Sequence, residues 1–244
     1  MIRWSLIDTA AVPDGGGELR LMQRGSEFVI FAGADALMNS RSNGSEKALG
    51  TLACAGLQDR PAPHVLIGGL GMGFTLRAAL DSLGPKARVT VAELVPAVIA
   101  WARGPLAHLG GDGLDDPRVA LREGDVAALI GEARSDFDAI LLDVDNGPHG
   151  LSRPANDRLY DARGLAAARR ALKPGGVLAV WSSAVDPVFT PRLRRAGYEV
   201  REARVRSSGG RKGERHIIWL ATAPAAIAPK SIAPTSVASE PQRG

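Results

Sequence analysis

The residues best placed to do chemistry begin with a run of glycines behind a short apolar stretch, Val65-Leu66-Ile67-Gly68-Gly69-Leu70-Gly71-Met72-Gly73-Phe74. A strand that delivers such a turn into a helix presents unpaired backbone N–H groups at the helix start. The missing side chains let a ligand approach the main chain. Gly69, Gly71 and Gly73 are spaced G-x-G-x-G, so the third glycine arrives one residue earlier than in the G-x-G-x-x-G of dinucleotide sites. Acids follow at three strand ends. Glu93 can accept two hydrogen bonds from ribose hydroxyls, Asp125 after Gly124 can accept one from an exocyclic adenine amine, and Asp143 closes a further strand. One strand-end acid alone is usually a cap or turn residue. A glycine turn followed by acids after three successive strands marks a nucleotide site.

The elements that must hold these residues alternate. Apolar runs at 65–67, 89–92, 119–122, 139–142 and 177–181 are separated by helical patterns over 74–83, 96–109, 126–133 and 161–172, with Pro174-Gly175-Gly176 breaking the last. Apolar strands alternating with helices predict a parallel sheet covered on both faces. A helix near 187–196 and strands over 198–205 and 216–221 follow. The Ser207-Ser208-Gly209-Gly210 link makes one of those strands antiparallel. The expected fold is α/β, a Rossmann-like seven-stranded, mostly parallel sheet with a small N-terminal β appendage. Residues 1–44 form the appendage, with a hairpin over 18–22 and 27–31. Residues 45–221 form the nucleotide-binding catalytic domain, opening on a helix over 45–57 that Ser45 could cap. The Ala/Pro/Ser-rich tail, 222–244, lacks periodicity and is expected to be disordered.

The 244 residues, 45% hydrophobic and 23% charged, suffice for a large core without staples. The single Cys54 excludes an internal disulfide and a cysteine-rich zinc site, and His64, His108 and His216 lack ligand spacing, so no metal is expected. No apolar run approaches the ~20 residues of a bilayer span. The N-terminus shows no basic segment followed by an apolar core, so neither signal peptide nor membrane partner is expected and the location reads as cytoplasmic. The net charge is +4, with basic residues gathered over 192–215. Without a recognition motif or interleaved aromatics, a solvated face is the favoured reading there, and a nucleic-acid partner is the lesser one.

The glycine turn, Glu93, Gly124-Asp125 and Leu172-Lys173-Pro174-Gly175-Gly176 resemble a class I AdoMet-dependent methyltransferase fold. More narrowly, with the N-terminal strands, Asp138-Ala139-Ile140-Leu141-Leu142-Asp143, the Gly-Pro loop and Leu159-Tyr160, the chain resembles the spermidine synthase-like family over about residues 18–221. The resemblance implies AdoMet or decarboxylated AdoMet as co-substrate, with Glu93 on the ribose, Asp125 on the adenine and Asp143 facing a small acceptor. It also implies a homodimer.

Two departures bear on the acceptor. Aminopropyltransferases of the family carry Asp-Glu-x-x-Tyr-His-Glu on the helix entering the core. Here the stretch is Ser45-Glu46-Lys47-Ala48-Leu49-Gly50-Thr51, which keeps only the first glutamate. Their acidic loop reads Asp-Ser-Ser-Asp-Pro. Here it reads Asp143-Val144-Asp145-Asn146-Gly147-Pro148. A dicationic acceptor needs carboxylates at both ends, because an unpaired buried ammonium is costly. The expectation therefore leans towards methyl transfer. Aminopropyl transfer is the alternative, and a non-catalytic nucleotide-binding or assembly protein is a third reading. Asp143 is expected to deprotonate or orient the acceptor, or only to bond the donor. Asp145 and Asn146 either grip an acceptor amine or shape the turn. Tyr160 either closes over the acceptor or packs the helix behind it, and His149 either relays a proton or sits at the surface. Asn39, Ser40 and Arg41 are candidates for the cavity wall, and Trp101 and Trp181 belong either to the core or to that wall.

Overall fold

Four short strands open the chain: β1 (Ser5–Ala11), β2 (Glu18–Arg24), β3 (Glu27–Ala32) and β4 (Asp35–Asn39), an antiparallel sheet in that order. The computed structural model describes residues 2–144, 147–148, 156–208 and 213–225. The expected hairpin is the β2–β3 pair, closed by Gly25-Ser26 with Gly25 at φ +60°. Leu19, Leu21, Phe28 and Ile30 from this sheet are buried in the same cluster as Val65, Ile67 and Trp101. The appendage therefore has no core of its own; it closes over the main body.

The remaining strands are β5 (His64–Gly68), β6 (Arg88–Glu93), β7 (Val119–Glu123), β8 (Phe137–Leu142), β9 (Leu172–Ser182), β10 (Glu199–Arg206) and β11 (Arg215–Thr222). Among the described residues they form one seven-stranded sheet in the order β10-β11-β9-β8-β5-β6-β7. Pairing is parallel from β9 to β7, and β11 is antiparallel to both β9 and β10. The apolar runs split by the two-residue period of a strand. Val65, Ile67, Leu141 and Ala179 face one hydrophobic cluster, while Leu66, Ile140, Leu142 and Val180 face the other.

Helices cover both faces: α1 (Gly44–Cys54), α2 (Phe74–Ser82), α3 (Pro96–Arg103), α4 (Ala107–Gly110), α5 (Val126–Glu132), α6 (Asp157–Tyr160), α7 (Ala162–Ala171) and α8 (Phe189–Arg195). Several local expectations are corrected. Ser45 does not cap α1; Asn43 holds the cap position, and Ser45 is buried inside the first turn. The helix read over 96–109 divides at Gly104-Pro105, because a residue before proline is pushed out of the helical region; Gly104 sits at φ −109°, ψ −110°. Pro174-Gly175-Gly176 does not precede a strand but lies within β9. Phe137 pairs with Leu172 and Ala139 with Val177, so residues 173–176 bulge out, with Gly175 at φ +70°. α6 is a single turn in a stretch where the sequence shows no helical pattern.

No helix among the described residues is long and apolar enough to cross a membrane. Of the expected tail, residues 226–244 lie outside the described residues.

Candidate functional site

β5 and β8 are parallel neighbours from which the chain departs to opposite sides, the switch point where open α/β sheets bind ligands. Three backbone hydrogen bonds align the strand ends there: Gly69 N–H to Ala92 O at 2.9 Å, Asp143 N–H to Gly68 O at 2.9 Å and Gly124 N–H to Glu93 O at 2.8 Å. Residues 69, 93, 125 and 143 thus come to one edge around a single cavity. Leu19, Ile30, Leu37 and Met38 roof it from the small sheet, and Glu46 and Trp181 close its side.

Glu93 is buried at the end of β6, and its two oxygens accept the backbone N–H groups of Leu70 (2.8 Å) and Val95 (2.9 Å). Burial raises its pKa against the opposing pull of those N–H groups. The carboxylate therefore holds the glycine turn in shape at the edge of the cavity.

The glycines have separate reasons. A Cβ on Gly69, at φ +86°, would lie 2.2 Å from the Asp143 carbonyl oxygen, so the close approach of the chain leaving β8 requires a glycine here, while its backbone lines the cavity. Gly71 lies under Met38, whose sulfur accepts the Met72 N–H at 3.1 Å. Gly73 does not line the cavity; it occupies the cap position of α2 at φ +82°.

Asp125 lines the cavity while capping α5, its Oδ1 accepting the Ala127 N–H at 2.8 Å. Its Oδ2 pairs with Arg158. The cap role anticipated for a lone strand-end acid is therefore filled alongside any part in binding.

The opposite wall is built from side chains. Asp143 Oδ2 accepts the Thr75 hydroxyl at 2.6 Å, and the Glu46 carbonyl lies 3.2 Å from the same hydroxyl. Glu46 is 6% exposed, and its carboxylate accepts the Ser45 hydroxyl at 2.6 Å. Burial, then the negative charge of Asp143, push its pKa up to about 7, against Ser45 and Lys47. His216 Nδ1 lies 2.8 Å from Ser45 Oγ, and burial lowers the pKa of that imidazole. Trp181 meets the His216 ring edge-on at 4.9 Å, and its indole N–H is buried without a hydrogen-bond partner among the described residues.

Not every expected residue arrives. Tyr160 is 2% exposed, packs edge-on against Phe189 and does not line this cavity, so the expectation that it covers the acceptor gives way to packing. Asn39 and Arg41 contact Glu27, and Ser40 Oγ accepts the Phe28 N–H; none of the three lines the cavity. Asp145, Asn146 and His149 lie outside the described residues. Sequence reasoning missed Thr75, Ser45 and His216, and saw in Glu46 only a remnant of a motif. Among the described residues, no group of three or more His, Cys, Asp or Glu is placed to hold a metal ion.

The family described as "Spermine/spermidine synthase domain" matches residues 51–189. Polyamine aminopropyltransferase 1 of Streptomyces coelicolor is 34% identical over 156 residues, covering 59% of this chain and 28% of that protein. Putrescine N-methyltransferase 2 of Nicotiana attenuata is 34% identical over 126 residues, covering 51% of this chain and 32% of that protein. The chain thus spans about a third or less of the length of these curated relatives. The spermidine synthase structure from Thermotoga maritima superimposes with a TM-score of 0.67 at 19% identity, covering 89% of this chain and 72% of that one.

Proposed function

The chain belongs to the spermine/spermidine synthase domain family, and on that premise we propose that it is an enzyme transferring an aminopropyl group from decarboxylated AdoMet to a small amine. The observation that carries this reading is the charge of the cavity. Glu46, Glu93, Asp125 and Asp143 line it, and no lysine or arginine does among the described residues. AdoMet would bring an α-carboxylate into that wall, whose lining offers it no cation and whose neighbouring Arg158 is already paired with Asp125, and an unpaired buried carboxylate is strongly disfavoured. The decarboxylated donor presents only a sulfonium and an ammonium, both attracted to the wall.

Glu93 would hold the ribose, Asp125 the adenine amine, and Gly69 and Gly71 the backbone wall of the donor site. Asp143 would align the acceptor nitrogen. The sulfonium is already an activated leaving group, so alignment and deprotonation are the main tasks left to the protein. Methyl transfer, towards which the missing diamine residues leaned, becomes the second reading; the putrescine N-methyltransferase relative and the absent Tyr-His-Glu of α1 favour it. A cytoplasmic location fits this chemistry. A homodimer fits the exposed Leu6 and Ile7 on edge strand β1.

Calorimetric titration with both donors, followed by mass spectrometry of an amine panel, tests the proposal. Tighter binding of decarboxylated AdoMet and products heavier by an aminopropyl group are expected. Preference for AdoMet with methylated products would establish the second reading instead.

A further inference from the structure

We propose that Ser45 and His216 form a proton relay which carries the Glu46 proton to solvent when a cationic ligand fills the cavity, making Glu46 a counter-ion supplied on demand. The inference deepens the transfer reading above and rests on it for the identity of the ligand.

The geometry is a continuous path. Glu46 lines the cavity, and Ser45 Oγ donates to its Oε2 at 2.6 Å. His216 Nδ1 lies 2.8 Å from the same hydroxyl oxygen, and His216 Nε2 lies 3.7 Å from the Glu214 carboxylate, whose side chain is 88% exposed. Trp181 packs against the imidazole from the cavity side. One end of the path therefore faces the ligand and the other faces water.

Hydrogen bonding allows two arrangements. With Glu46 ionised, the single Ser45 proton goes to Glu46, so the serine oxygen must accept and His216 carries its proton on Nδ1. With Glu46 protonated, both bonds reverse. Glu46 donates to Ser45, Ser45 donates to Nδ1, and His216 carries its proton on Nε2. Proton release from Glu46 links them. The Glu46 proton passes to Ser45 Oγ as the Ser45 proton passes to Nδ1, and the Nε2 proton leaves to Glu214 or water. One proton is released, no charge stays on the imidazole, and departure of the ligand reverses each step.

The surrounding groups supply the bias. Asp143 faces Glu46 and favours its protonated form, Lys47 opposes this, and Thr75 occupies the neighbouring Asp143 oxygen. Burial lowers the His216 pKa, which favours the neutral ring the relay needs, and Glu214, the acid beside it, opposes this. An ammonium entering between Glu46 and Asp143 removes the repulsion and draws the proton out.

Nitrogen-15 NMR of the histidine ring tests the relay without any assay of turnover. In the full chain, His216 is expected on Nδ1–H at pH 8.5 and on Nε2–H at pH 6. Glu46→Gln and Ser45→Ala should each abolish that switch. An unchanged tautomer in the wild type, or a switch that persists in either variant, overturns the relay whatever the protein transfers. Adding putrescine or decarboxylated AdoMet at pH 7 should move His216 to Nδ1–H and release about half a proton per site, read from binding heats in buffers of different ionisation enthalpy. Binding with buffer-independent heat would overturn the coupling to ligand. If neither ligand binds, the transfer reading fails while the pH experiment still decides the relay.

Discussion

The two walls of the cavity are built differently. The wall formed by the glycine turn and Glu93 is a backbone structure. Its groups are neighbours along β5 and β6, and its hydrogen bonds run from main-chain N–H groups to one carboxylate. The wall formed by Glu46, Asp143 and Trp181, with Thr75 bonded behind Asp143, is a side-chain structure assembled from α1, α2, β9 and the end of β8. The first is rigid because changing it means rebuilding strands, and on the proposed reading it would hold the adenosine part of the donor. The second can be altered one side chain at a time, and it is where this chain departs from the family's usual acceptor residues.

Substitutions break the comparison in graded steps. Gly69→Ala should be the most severe, because both its φ of +86° and the 2.2 Å approach to the Asp143 carbonyl forbid a side chain. A loss above about 4 kcal/mol by denaturant unfolding is expected. A mild effect would mean that the backbone wall is more plastic than its geometry implies.

Asp143→Asn should lower kcat by about 10²–10⁴-fold while donor affinity by calorimetry changes only a few-fold, because it strikes the side-chain wall alone. Undiminished turnover would remove Asp143 from the reaction.

Glu46→Gln should act through pH. The native pKa of about 7 exceeds the ordinary 4.5, so the wild type loses stability as pH rises from 4.5 to 7. The variant should then be the more stable above pH 7 by about 3 kcal/mol, with the gap closing below pH 4.5. A gap that does not vary with pH would show that Glu46 is not held as described.

Glu93→Gln should be gentler for the fold, about 1–3 kcal/mol, since an amide satisfies one of the two backbone N–H groups and opposes the other. Weaker donor binding with kcat little changed would keep the two walls functionally separate.

The same division decides what the sequence reveals. The backbone wall is legible because its chemistry lies in contiguous stretches: the glycines, Glu93 after one strand, Asp125 after the next. Even there the sequence does not say that Gly69 makes room for the chain leaving β8. The side-chain wall is hardly legible. Ser45 and His216 are 171 positions apart and meet only because β11 inserts between β9 and β10. Tyr160 was ambiguous for a related reason: α6 is a single turn, too short for apolar spacing to show which side faces the core. The helix over 96–109 was overextended because its apolar spacing continues past Gly104-Pro105 although the backbone does not.

The insertion of β11 also has a consequence for how the protein comes into being. β10 is synthesised before β11 yet touches the rest of the sheet only through it. During translation β10 waits without its sheet partner, and β9 keeps an open margin, until β11 has emerged. Such margins invite pairing with other chains. The strand that completes the Ser45–His216 contact is thus also the one that ends this vulnerable interval.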